Sequence, residues 1–189
     1  MLKIITGTAK GRILKTLEGE ATRPTSERIK EAVFSSIQFD IESRRVLDLF
    51  AGCGQLGLEA LSRGAVSCMF IDSSREAMDI VKANVKATGF ESSCKYLVSD
   101  ARNYIRKASG NESFDLVFID PPYAQSCCAD VIKKLIGSGI LADGAIIVSE
   151  SGEESLNGDD FPELEVTKSR RYGTKTEINI FLYHKPSEE

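Results

Sequence analysis

The chain has 189 residues, 42% hydrophobic and 28% charged, with a formal net charge of −4. That size suits one domain with a substantial core, and the composition is that of a soluble globular protein. No apolar run reaches the length of a membrane span, Met1-Leu2-Lys3 opens no signal peptide, and five cysteines without a CxxC pair beside one histidine argue against zinc and for a reducing cytoplasm.

The charge is unevenly spread. Glu150, Glu153, Glu154, Asp159, Asp160, Glu163 and Glu165 follow one another without a basic residue, whereas Lys10, Arg12, Arg23 and Arg28 enrich the first thirty positions and Arg170 and Arg171 form a second basic group. Two basic patches on an acidic body suit a structured anionic partner, and equally suit solvated faces.

In chain order, Leu2 to Thr6 and Arg12 to Thr16 read as a small hairpin around Gly7 and Gly11. A helix follows, capped by Thr25 or Ser26, with Ile29, Val33 and Ile37 on one face. Residues 1–40 thus form an extension on a single domain spanning 1–189. From Val46 strand and helix alternate, the signature of a parallel α/β sheet. Strands are expected at Val46 to Phe50, Val66 to Ile71, Lys95 to Ser99, Leu116 to Ile119 and Ala145 to Ser149. The intervening helices include one capped by Ser73 or Ser74, with Ala77, Ile80, Val81 and Val85 buried and Gly89 closing it. Glu163 to Ser169 and Thr176 to His184 have no helix between them, and so short a connection makes them antiparallel.

Gly52-Cys53-Gly54-Gln55-Leu56-Gly57 fits GxGxxG between a strand and a helix, with Asp72 ending the next strand. Alone, that is a dinucleotide fingerprint with the acid on a ribose. Acids close four successive strand units, however: Asp48, Asp72, Asp100 and Asp120. Asp48 to Gly54 also resembles the first motif of the class I methyltransferases, and the helix-free final strand pair resembles their reversed edge hairpin. These features favour S-adenosylmethionine over a nicotinamide cofactor. Gly52 and Gly54 let the backbone approach the cofactor, Asp72 accepts ribose hydroxyls, and Asp100, with the Ala101 N–H beside it, accepts from the adenine amine. Asp48 serves the methionine end directly or through its loop.

Asp120-Pro121-Pro122-Tyr123 ends the apolar strand abruptly, because two prolines fix φ and remove two donors. A nucleobase amine is a poor nucleophile with two N–H donors; the Asp120 carboxylate and the Pro121 carbonyl accept both, and Tyr123 offers a stacking face. The tetrapeptide resembles the catalytic motif of amino-methyltransferases. An ordinary Pro-rich turn with a surface tyrosine is the plain alternative.

Gly7, Lys10-Gly11-Arg12, Thr22-Arg23-Pro24-Thr25 with Arg28, the loop through Ala51 and Gly52, Gly57-Leu58-Glu59-Ala60, the Asp-Pro-Pro-Tyr corner and Tyr172-Gly173 together resemble the RsmD family over nearly the whole chain. The resemblance implies a seven-stranded Rossmann-like α/β sheet, mostly parallel with an antiparallel C-terminal hairpin. It implies a monomeric enzyme that methylates a guanine exocyclic N2 amine, at position 966 of small-subunit (16S) ribosomal RNA. Arg23 and Thr25 would then help to close over the methionine end of the cofactor. Phe50, Ala51, Gly57 and Ser73 complete the cofactor set, and Pro122 stiffens the catalytic corner. Lys10, Arg12, Arg23, Arg28, Arg170 and Arg171 would meet the ribosomal RNA or small-subunit particle. A DNA adenine-N6 methyltransferase and a non-catalytic nucleotide-binding module are the alternatives.

Overall fold

A computed structural model describes the chain except residues 18–23, 109, 111, 123–126, 153, 155, 157, 175 and 187–189; of 24–26 it describes the backbone alone. The described residues carry the expected seven-stranded α/β sheet, mostly parallel with an antiparallel hairpin near the end, and five α-helices. They divide into two compact units, Met1–Asp100 and Ala101–Glu189.

The first unit holds α1 (Pro24–Ser36), β1 (Arg45–Asp48), α2 (Gln55–Ser62), β2 (Ser67–Asp72), α3 (Arg75–Thr88) and β3 (Cys94–Val98), with the strands in the order β3-β2-β1, all parallel. Apolar runs in β1 and β2 are buried on both faces, as parallel strands covered by helices require. Leu97 and Val98 of β3 stay 42% and 40% exposed because that strand lies at the sheet's edge. The Ser74 hydroxyl caps α3 by accepting from Ala77 N, and Gly89 closes it in the left-handed region at φ 81°. The stripe of α3 differs in one respect: Asn84 is buried among the apolar residues, and Ile80 is only half-buried.

The N-terminal hairpin shrinks to one antiparallel bridge, Lys3 to Ile13. Three backbone hydrogen bonds still join its arms, from Ile4 N to Arg12 O, from Gly11 N to Ile4 O and from Leu14 N to Leu2 O. The Ile5 and Thr6 amides donate to the two carboxylate oxygens of Glu59 at 2.7 and 3.0 Å instead of to a strand. Ser62 adds to the dock, its hydroxyl donating to Thr6 O at 2.6 Å and accepting from Ala9 N at 3.0 Å. A second correction concerns α1, which starts at Pro24, so Thr25 and Ser26 lie inside its first turn and not at its cap. Proline suits that position, since its missing N–H would have no helical partner there. Ile29, Val33 and Ile37 are buried as expected, with Phe34 beside them.

The second unit holds α4 (Ala101–Ala108), β4 (Phe114–Ile119), α5 (Cys128–Ser138), β5 (Leu141–Ser151), β6 (Leu164–Tyr172) and β7 (Thr176–Tyr183), with the strands in the order β4-β5-β7-β6. β4 pairs parallel with β5, and β7 runs antiparallel to both β5 and β6. Leu116, Val117, Phe118 and Ile119 are 0% exposed, so the last four residues of the strand that leads to the acidic corner are core. Within the acidic tract, Glu154 accepts from Cys128 N and Ala129 N at 2.9 and 3.0 Å and so caps α5, while Glu153 lies outside the described residues.

Candidate active site

The first unit supplies a strand-turn-helix cradle. β1 ends at Asp48, and the chain turns through Leu49 to Gly54 before α2 begins. Gly52 and Gly54 adopt φ of 54° and 82°, a region that L side chains rarely enter. A Cβ on Gly52 would meet nothing within 4 Å, so its face of the turn is open. Gly57 has a different job: its Cβ would lie 2.4 Å from Phe70 Cε1 and 2.6 Å from Cys68 Sγ, and its absence lets α2 press onto β2.

Two acids hold this turn. Asp72, half-buried at the end of β2, accepts from Gly52 N through Oδ2 and from Ser74 N through Oδ1, both at 2.8 Å. Asp48 is fully buried and accepts from Gly57 N at 3.1 Å. Burial above all, with the Asp72 charge adding to it, pushes the Asp48 carboxyl up to about 7, against the pull of N–H bonds from Gly57 and Phe50. Asp48 therefore acts on the loop from behind. Ala51 is buried, Phe50 is half-buried, and Ser73 and Asp100 are exposed; Ala101, buried, opens α4 in the other unit.

Asn84 went unnoticed in the sequence. Its amide donates to the carbonyls of Cys53 and Lys15 at 2.8 and 2.9 Å and accepts from Lys15 N at 2.8 Å. One buried side chain thus ties the glycine turn to the N-terminal segment. The signal was an amide in the apolar stripe of a helix, at a position where a polar group must have partners. Glu59 was visible only as part of a motif. Completely buried, it is paired with Arg63 at 2.8 Å and lies 3.8 Å from Lys30 Nζ, which donates to Lys3 O at 2.8 Å.

The second unit supplies the acidic corner. Asp120 is half-buried, Pro121 buried and Pro122 exposed; Tyr123 lies outside the described residues. Cys128 is close behind, its thiol donating to Glu150 O at 3.5 Å. Burial first, then the charges of Glu154, Cys127, Asp120 and Glu150, push that thiol far up, which keeps it a neutral packing group. Among the proposed RNA contacts, Lys10, Arg12, Arg28, Arg170 and Arg171 are exposed. Arg171 pairs with Glu177 at 3.2 Å, and Arg170 stands 5.2 Å over the Tyr172 ring. Arg23 and the Thr25 side chain lie outside the described residues.

The fold resembles solved structures closely. yhhF of Escherichia coli superposes with a TM-score of 0.84 at 28% identity, covering 98% of this chain and 99% of that one. A conserved hypothetical protein of Streptococcus pyogenes gives a TM-score of 0.74 at 30% identity, over 82% of this chain and 95% of that one. With the glycine turn and its two acids, this fold defines a class I methyltransferase, whose cofactor is S-adenosylmethionine. The open Gly52 face fits such a cofactor, as does Gln55, whose Oε1 is buried at the start of α2 without a partner among the described residues.

The family model described as conserved hypothetical protein 95 matches residues 2–181. Ribosomal RNA small subunit methyltransferase D of Escherichia coli (strain K12) is 34% identical over 154 residues, 82% of this chain and 76% of that protein. YlbH of Bacillus subtilis (strain 168), named as a candidate rRNA methyltransferase, is 34% identical over 91% of this chain and 94% of its own length. The chain belongs to the RsmD family.

Proposed function

We propose that the protein methylates the exocyclic N2 amine of a guanine in small-subunit ribosomal RNA, the guanine at position 966. The observation that carries this reading is the Asp120-Pro121-Pro122 corner directly after the buried run Leu116 to Ile119, in a chain whose relatives are named for ribosomal RNA methylation. A carboxylate and a backbone carbonyl side by side accept two N–H bonds, which is what an amine needs before its lone pair can leave the ring. An adenine N6 or a guanine N2 amine satisfies that pair equally; the relatives' names favour RNA.

In this reading the cradle of the first unit holds the cofactor and the corner of the second holds the base. Asp72 and Asp100 orient the cofactor's ribose and adenine, Arg23 and Thr25 close its methionine end, and Asp48 keeps the turn in place. S-adenosylmethionine, when bound, supplies a methyl on a sulfonium that its positive charge already activates. Asp120 and the Pro121 carbonyl hold the guanine amine in line, and Tyr123 stacks on the base lifted from its neighbours. As the new N–C bond forms and the C–S bond breaks, one amine proton leaves toward Asp120 or water. Most of the acceleration is positional.

Asp120→Ala is expected to abolish methylation while binding S-adenosylmethionine as wild type does. The assay is nucleoside mass spectrometry after incubation with ribosomal particles, with free ribosomal RNA and with DNA. Methyladenine in the DNA arm alone would replace this reading, and loss of cofactor binding in the variant would make Asp120 structural.

A further inference from the structure

The second unit carries a furrow of about 530 Å³ between α4 and α5, lined by Arg102, Asn103, Ile105 and Arg106 from one helix and Lys134, Gly137 and Ser138 from the other. It has no part in the roles assigned above. The two helices hold Arg102, Arg106, Lys107, Lys133 and Lys134 against a single acid, Asp130. That acid organises the furrow, accepting from Arg102 Nε at 2.6 Å and pairing with Lys134 Nζ at 2.9 Å, one cation from each wall. Arg106 is steadied in turn by Asn103 Oδ1 at 3.3 Å. The cations are arranged, and they outnumber their partner acid.

Gly137 shapes the same wall. It lies within α5 without a left-handed φ, and a Cβ there would meet nothing within 4 Å. Neither backbone conformation nor packing requires a glycine, and a helix is weakened by having one. What the glycine leaves is bare backbone in the furrow wall, where another molecule's atoms can approach closely.

We propose that this furrow seats the phosphodiester backbone of the RNA substrate. Guanidinium groups on one wall and an ammonium on the other match the charge of a phosphodiester backbone, and such contacts position an RNA without reading its sequence. The inference rests on the reading that the substrate is RNA, and it explains how an acidic chain grips one: the cations are concentrated where the backbone lies.

Binding of small-subunit ribosomal RNA by the full chain, titrated from 50 to 200 mM KCl, tests it. Arg106→Ala/Lys134→Ala is expected to weaken binding about tenfold and to lower the salt slope by about 1.5, as two lost phosphate contacts should. In methylation assays its KM rises with kcat unchanged. Lys82→Ala/Lys86→Ala, which removes two charges from α3, is the control and changes the slope less. Gly137→Ala is expected to raise the thermal midpoint and yet weaken RNA binding several-fold, a pairing that a purely structural glycine would not give. Equal losses in the furrow and control variants would overturn the proposal, as would unchanged RNA binding in the furrow variants. Loss of polyglutamate binding with RNA binding intact would make the partner an acidic protein, and the proposal would fall. Wild-type methylation of ribosomal RNA is scored separately, so a failed furrow leaves the proposed reaction standing and a failed reaction is recognised as such.

Discussion

Asp48 shows how a single buried carboxyl links stability to pH. Its folded value of about 7 lies above the ordinary carboxylate value of 3.8, so the folded protein holds a proton there that the unfolded chain gives up. Stability from this group is therefore greatest at low pH, declines as pH rises from about 4 toward 7, and stays level above that. Asp48→Asn keeps a side-chain oxygen for Gly57 N and removes the titration. The variant is expected to gain on wild type steadily between pH 5 and 7 and to hold a constant lead from pH 7.5 upward. Paired thermal melts across that range check it, and a lead independent of pH would show that folding does not raise the Asp48 pKa. Asp72, half-buried at the same turn, bonds two backbone amides, which explains how two acids coexist beside one loop: one faces solvent, the other is sealed behind it.

At the level of elements, the docking of residues 2–15 depends on Glu59. That carboxylate, itself fully buried, binds two amides and Arg63 and lies close to the buried Lys30 ammonium. Burial lowers the Lys30 pKa, and the Glu59 charge is the largest influence opposing it. Glu59→Gln removes the compensating charge and should cost about 3 kcal/mol, as broken buried pairs do. For a chain of this length that is a fall of about 6–12 °C in midpoint, measurable by calorimetry. A loss below about 1 °C would mean that the dock stands without the ion pair. These long-range contacts mark the limit of what the sequence made legible. Periodicity and turn chemistry sufficed for the alternating strands and helices, the Ser74 cap, the Gly89 stop and the antiparallel last pair, because each is decided within a few neighbouring residues. The shortened hairpin, the α5 cap from Glu154 and the bridge through Asn84 are decided by partners 25 to 69 positions away, which no local pattern reports. The corner proposed for catalysis differs in kind, because Asp120, Pro121, Pro122 and Tyr123 are consecutive and a local pattern suffices to single them out.

Across the whole molecule, the acid excess belongs to Ala101–Glu189, with fifteen acids to ten lysines and arginines, whereas Met1–Asp100 has thirteen to fourteen. Much of that excess is engaged internally. Glu154 caps α5, Glu177 bonds Ser169 and Arg171, Asp130 holds two cations, and Asp143 accepts from Lys185 N. Net charge is thus a poor guide to what the molecule binds, and ligand-induced stability is a better one. A cofactor at one hundred times its Kd stabilises the folded state by about 2.7 kcal/mol, hence about 5–10 °C in a chain of this size. Thermal melts with S-adenosylmethionine should show that rise in wild type and in Asp120→Ala alike. Asp72→Ala should lose most of it, since that carboxylate holds Gly52 N and, in the proposed reading, orients the ribose as well. If Asp120→Ala lost the shift and Asp72→Ala kept it, the assignment of cradle and corner would be reversed, and the acid after β4 would belong to the cofactor.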